Sequence, residues 1–396
     1  MSLPPDHRHA DPPAPYPAGT APPMLAGGYQ WLRTGARALA KMLEAIDEAQ
    51  ASIRLEMYTI QPGVLGEKFR EQLTAAAQRG VRVWVLADAV GSMGLSKDFW
   101  QPLMAAGGEC RYFNLPGRSR FGLRDHRKLM VCDDNLAFVG GVNIGPEYLG
   151  DGVTAGWRDL AVQFHGALAR ELAGAFDEMF AHADFKHPRF AWLRHAIRQR
   201  HVDVGHATAL LIAPGWRRNP MVRTLTHDFK TAESIRIMAA YFLPTVRVLH
   251  ALRRAARRGT KVQLILAGHS DVPHMRMAAR SLYHRLLKCG VEIYEYQPQI
   301  LHAKMIIVNE NIVYAGSANL DVRSLHLNYE LLLRVEHQRL AREAGEIFAD
   351  DLAHCHRVEI DAWLKTRHWW RRLLDHCAYF LAAHIDPFLS SFSWRR

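Results

Sequence analysis

Two stretches of the chain, far apart in sequence, set the same residue types at the same intervals. The first runs His126-x-Lys128, then Asp133, then Gly140-Gly141-x-Asn143. The second runs His302-x-Lys304, then Asn309, then Gly316-Ser317-x-Asn319. Paired histidines, lysines and amides suit attack on a phosphodiester. The diester's charge repels nucleophiles, so lysine and asparagine donors must hold its oxygens and offset the charge that builds in the transition state. One imidazole attacks near neutral pH and forms a phosphohistidine. The other, protonated, donates to the leaving oxygen and later takes the proton of the incoming alcohol or water. The expected catalytic set includes His126, Lys128, Asp133, His302, Lys304 and Asn309. Gly141, Asn143, Ser317 and Asn319 are expected to bind phosphate, glycine allowing close backbone approach. The two lysines supply the positive charge, so neither a metal nor another cofactor is expected.

Each imidazole needs a partner that sets its tautomer. The candidates are Asp159, in Trp157-Arg158-Asp159, and Glu330, in Asn328-Tyr329-Glu330. If the two copies face each other across a two-fold axis, the partners cross. Glu330 then supports His126, and Asp159 supports His302.

The elements that hold these groups also repeat. Residues two apart on a strand share a face, so each His-x-Lys pair projects together. Apolar Leu129 to Val131 and Met305 to Val308 read as buried strands. Asp133-Asp134-Asn135 and Asn309-Glu310-Asn311 read as turns into returning strands. Ser52-Ile53-Arg54-Leu55 and Ser234-Ile235-Arg236-Ile237 open the two units, and Arg79-Gly80 and Arg258-Gly259 close equivalent helices with a C-cap glycine. This alternation predicts an α/β fold of two pseudo-symmetric halves, each a mixed sheet flanked by helices, with the site at their interface. The first half is placed at 29–204, ending in a charged connector from about Arg170 to Gly205. The second half is placed at 205–362.

The 396 residues carry a net charge of +11, which favours an anionic partner surface. Five widely spaced cysteines make no disulfide framework, which fits a reducing compartment. Residues 1–28 are rich in proline, lack the apolar run of a signal peptide and are expected to be disordered.

With these residues in place, the chain resembles the phospholipase D superfamily, whose signature is His-x-Lys-x4-Asp followed by Gly-Gly/Ser-x-Asn. Within it, Arg124-Asp125-His126-Arg127-Lys128, Leu301-His302-Ala303-Lys304 and Gly316-Ser317-Ala318-Asn319-Leu320-Asp321 are similar to bacterial cardiolipin synthases, as is the early Arg54-Leu55-Glu56-Met57-Tyr58. The resemblance implies phosphatidyl transfer by two displacements, with His126 as nucleophile and His302 as general acid and base. A phosphatidylglycerol hydroxyl would be the acceptor, giving cardiolipin and glycerol. Asn309 departs from the signature aspartate, which puts a structural anchor in doubt more than the reaction.

A lipid substrate requires a membrane surface. In the tail, 363–396, Trp369, Trp370, Leu373, Leu374, Cys377, Phe380 and Leu381 fall on one side of a helix, with Arg371, Arg372, Asp375 and His376 on the rest. That pattern suits an interfacial helix; the competing reading is a helix packed on its own domain or on a partner subunit. The expected partner is an anionic phospholipid surface containing phosphatidylglycerol, at the cytoplasmic face of the bacterial inner membrane, with no nucleic acid. The same chemistry with water as acceptor gives a phospholipid hydrolase. A nuclease and an inactive membrane scaffold are the remaining alternatives.

Overall fold

The computed structural model describes residues 28–115, 122–183, 200–215, 219–365 and 369–381. The proline-rich N-terminus, part of the connector and the chain beyond 381 lie outside this description.

The first half contributes β1 (Tyr29–Leu32), β2 (Ser52–Met57), β3 (Arg82–Asp88), β4 (Glu109–Phe113), β5 (Arg124–Asp125), β6 (Lys128–Cys132), β7 (Leu136–Gly140) and β8 (Ala161–His165). The second contributes β9 (Arg200–Asp203), β10 (Ala207–Ile212), β11 (Ser234–Ala239), β12 (Lys261–Ala267), β13 (Glu292–Tyr296), β14 (Lys304–Val308), β15 (Ile312–Gly316), β16 (Asn328–Glu336) and β17 (Cys355–Arg357). One sheet has the order β1-β8-β7-β6-β2-β3-β4. The other repeats it as β10-β16-β15-β14-β11-β12-β13, with β9 and β17 added at its two edges. Register repeats too: Leu129 pairs with Val139, and Met305 pairs with Ala315.

The period-2 alternation decides the layers. Leu129, Val131, Ala137 and Val139 point from the first sheet into a central core, where they meet Met305, Ile307, Val313 and Ala315 of the second. The alternate residues Met130, Cys132 and Phe138 face outward under the helices Gly35–Glu48 and Val64–Gln78. Ile306, Val308 and Tyr314 do the same under Pro220–Asp228, Val246–Arg257 and Pro273–Leu287. Both sheets are therefore buried on two faces, which explains their near-continuous apolar strands.

Three expectations differ from what is observed. The connector was placed from Arg170, yet Ala167–His182 is a core helix whose Leu168, Leu172, Phe176 and Met179 pack between the sheets. The first half was placed to 204, yet β9 pairs with β10 in the second sheet. In the tail, the helix Trp369–Phe380 packs on Pro273–Leu287. Asp375, expected on the solvent side, is buried with Ala378, while Leu374, Phe380 and Leu381 are exposed. The helix thus docks on its own domain through one face, with Leu374 and Leu381 exposed to solvent.

Candidate active site

The two halves exchange backbone at the site. β5 pairs in parallel with the start of β16, and the His126 N–H donates to the Tyr329 carbonyl at 2.9 Å. Reciprocally, the His302 N–H donates to the Arg158 carbonyl at 2.8 Å. Each histidine segment is therefore bonded to the chain just before the other half's carboxylate. Because of this exchange, His126 and His302 precede β6 and β14 rather than lying within them, and Lys128 and Lys304 are the first residues of those strands.

The crossed pairing follows. His126 Nδ1 lies 3.0 Å from Glu330 Oε2, and His302 Nδ1 lies 2.6 Å from Asp159 Oδ2. A carboxylate on Nδ1 holds the proton there and leaves Nε2 for chemistry. Both carboxylates are completely buried, while the side chains of His126 and His302 keep 13% and 7% exposure. His126 is thus the more accessible imidazole.

The electrostatics couple the two imidazoles and the two lysines into one site. Burial pulls His126 down to about 4, with Glu330 opposing and Lys128 and Lys304 reinforcing the shift. Burial likewise brings Lys128 down to about 7. His302 is lowered by burial and then by Lys304, whose Nζ lies 2.9 Å and 3.1 Å from the two ring nitrogens. Burial works to raise Glu330, but His126, Lys128 and the Ser317 hydroxyl hold it below the ordinary range. A nucleophilic imidazole must be neutral at pH 7, which His126 satisfies. Both buried lysines are shifted down by burial, and an entering anion favours their charged forms.

Aromatic side chains complete the walls, and sequence spacing had not singled them out. Tyr58 meets His126 edge-on at 4.7 Å between centroids, and Lys128 lies 5.0 Å over the same ring. Tyr148 and Trp157 pack against His302 at 5.7 Å and 5.4 Å. Asn143 is buried, accepts from the Thr59 N–H and donates to the Tyr148 hydroxyl. Behind His126 lie buried Glu56 and Asp125, both raised first by burial, with Arg127 3.7 Å from Glu56.

A family model described as "Cardiolipin synthase, PLD-like domain" matches residues 42–180 and 225–352. The chain belongs to this family. Cardiolipin synthase B of Escherichia coli K12 is 34% identical over 372 residues, covering 90% of this chain and 88% of that protein. Cardiolipin synthase of Clostridium perfringens strain 13 is 32% identical, covering 82% of this chain and 70% of its own. Among solved structures, phosphatidylserine synthase of Haemophilus influenzae superposes with a TM-score of 0.70 at 14% identity, covering 92% of this chain and 95% of that one, which shows the shared fold. Family and relatives together make this protein a phospholipase D-type, cardiolipin synthase-like phosphatidyltransferase.

Within this family member the two motif copies are supported differently. Gly141 sits against Asp159: a Cβ built there would lie 2.4 Å from a carboxylate oxygen. In the second half Ser317 takes the equivalent place and donates to Glu330 Oε2 at 2.6 Å. Ser317 therefore braces a carboxylate, which corrects its expected phosphate-binding role. Asn319 is buried, and its Oδ1 has no hydrogen-bond partner among the described residues.

Asp133 and Asn309 lie outside the pocket, at the far ends of β6 and β14, roughly 15 Å along five residues of strand. Asp133 accepts from the N–H groups of Gln50, Ala51 and Ser52. Asn309 accepts from those of Glu233 and Ser234. Both have left-handed φ, 53° and 55°, as does each following residue. Two consecutive positive φ values make a type I′ turn, which favours Asn as much as Asp. The structure therefore places both in turns away from the catalytic groups they were expected to join, a position in which Asn309 makes the same backbone-anchoring contacts as the signature aspartate.

Proposed function

We propose that the protein makes cardiolipin from two phosphatidylglycerol molecules at an anionic membrane surface. His126 Nε2 attacks the first phosphorus. The P–O bond to glycerol breaks, His302 gives the leaving oxygen its proton, and a phosphatidyl-histidine remains. A hydroxyl of the second phosphatidylglycerol then loses its proton to His302 and attacks, and the P–N bond to His126 breaks. Lys128, Lys304, Asn143 and Asn319 hold the phosphoryl oxygens throughout. The observation that carries this reading is the crossed pair of histidine–carboxylate contacts, His126 with Glu330 and His302 with Asp159.

No helix among the described residues is long and apolar enough to cross a membrane. A peripheral position on the cytoplasmic face of the inner membrane is the location that suits the +11 charge and the exposed Leu374 and Leu381 of the tail. The deciding experiment incubates purified protein with labelled phosphatidylglycerol vesicles and identifies the products. Cardiolipin plus glycerol supports the proposal; phosphatidic acid alone indicates a hydrolase; cleaved DNA with inert lipid indicates a nuclease.

A further inference from the structure

Single exposed apolar residues are ordinary on protein surfaces, but their placement here is not scattered. The most exposed large apolar side chains among the described residues are Val64, at 87%, and Val246, at 77%. They occupy equivalent positions in the two halves. Each is the first residue of the helix that follows the strand pairing with the motif strand: β2 against β6, and β11 against β14. Four residues before them, Ile60 and Phe242 bridge to Ile144 and Leu320, which directly follow Asn143 and Asn319. Met93, 71% exposed, follows Ser92, whose hydroxyl accepts from the Ile60 N–H. Leu149, 43% exposed, follows Tyr148, which packs on His302.

Four exposed apolar side chains, two at helix starts and two on loops, therefore lie close in sequence to the segments that frame the site, drawn from both halves. Neither helix start requires an apolar residue, since the first turn is solvated and Thr245 already caps the second helix. Beside Val246, Arg247 and Arg223 line a groove of about 1130 Å³. Neither arginine forms an ion pair among the described residues, so both charges stand ready for an anionic surface.

We propose that this rim, centred on Val64 and Val246, is the face that seats on an anionic phospholipid bilayer, so that the site mouth opens directly onto the headgroups. The proposal rests on the reading above that the substrate is a bilayer lipid. The pseudo-two-fold arrangement gives it a physical point: two equivalent apolar contacts flank the mouth and level it against the surface. Donor and acceptor lipids then reach one site from the same leaflet.

The test compares the full chain with the V64D/V246D variant in co-sedimentation with phosphatidylglycerol–phosphatidylcholine vesicles, without turnover. Vesicle partition should weaken about tenfold, because two charges replace apolar contacts at the interface. V64S/V246S, which adds no charge, should fall between. Turnover of short-chain phosphatidylglycerol below its micelle threshold should stay within about twofold of the parent, since monomeric substrate needs no docking surface. Unchanged partition in V64D/V246D overturns the proposal. An equal loss of monomer turnover also overturns it, by assigning the rim to the site itself. If the parent protein turns over no lipid, the functional reading fails, and vesicle partition still decides the docking face.

Discussion

His126 Nδ1 and Glu330 Oε2 lie 3.0 Å apart although 204 residues separate them in the chain. The contact exists because β5 of one half adds to β16 of the other. Glu330 is completely buried and held below its ordinary range, so it stays ionised and keeps the His126 proton on Nδ1.

Replacing Glu330 with Gln leaves the shape and removes that preference. Formation of the phosphatidyl-histidine should slow by about 10²-fold, near the lower end for a general acid–base partner. Rapid-quench labelling measures it. Full-speed labelling in the variant would show that the contact is only structural.

The two histidines are separable by leaving group. With a phosphatidyl ester of a strongly acidic phenol, departure needs no proton. The adduct should then form in His302→Ala and accumulate there, because the second alcohol is no longer deprotonated. In His126→Ala no adduct should appear. Mass spectrometry locates the label, and an adduct on His302 in the His126→Ala protein would reverse the assignment.

Lys128 has a pKa of about 7, below the ordinary lysine value because of burial. Its charge is present below that pH and lost above it, so kcat/KM for phosphatidylglycerol should fall on the alkaline side. Lys128→Arg keeps a charge throughout, because arginine does not lose its proton in this range. The variant should have a lower plateau and no Lys128-dependent alkaline limb. An unaltered limb would assign the ionisation elsewhere.

Gly141 is constrained by Asp159, and Ser317 braces Glu330. Gly141→Ala should push Asp159 off His302 and cost roughly 10²-fold in kcat, in keeping with the sensitivity of catalysis to ångström displacements. Ser317→Ala removes one hydrogen bond to a charged group, a loss of about 2 kcal/mol in the buried network, with a smaller effect on kcat. Equal kinetic losses would mean that the two halves are braced alike.

The turn residues should act on stability alone. Asp133→Ala removes three backbone hydrogen bonds and should lower stability by about 2 kcal/mol, read as a fall in Tm with kcat unchanged. Asn309→Asp keeps the acceptor and should be nearly neutral in both. Loss of activity in Asn309→Asp would give the amide a role that its position does not suggest.

Much of this was readable from the chain. Buried strands such as Leu129–Val131 and Met305–Val308 announce themselves by unbroken apolar residues, and Gly80 and Gly259 mark helix ends through positive φ of 91° and 98°. The segment from Arg170 reads as partly helical, but its charge suggested a connector and hid the apolar stripe of Leu168, Leu172, Phe176 and Met179 that places Ala167–His182 in the core. Tyr58, Tyr148 and Trp157 were not legible as site walls. An aromatic's chemistry is the same in a core or a pocket, and only its neighbours distinguish the two.

The sequence alone determined the residue types that react, their duplication and the α/β pattern of two similar halves, because those follow from side-chain chemistry and local periodicity. Only the tertiary structure decided which carboxylate holds which histidine, that Asp133 and Asn309 pin turns at the far ends of the strands, and that Ser317 supports Glu330. The crossed pairs depend on backbone exchanged between halves, joining residues 204 and 143 positions apart, while the turn anchors and the Ser317 brace depend on contacts folded together inside each half.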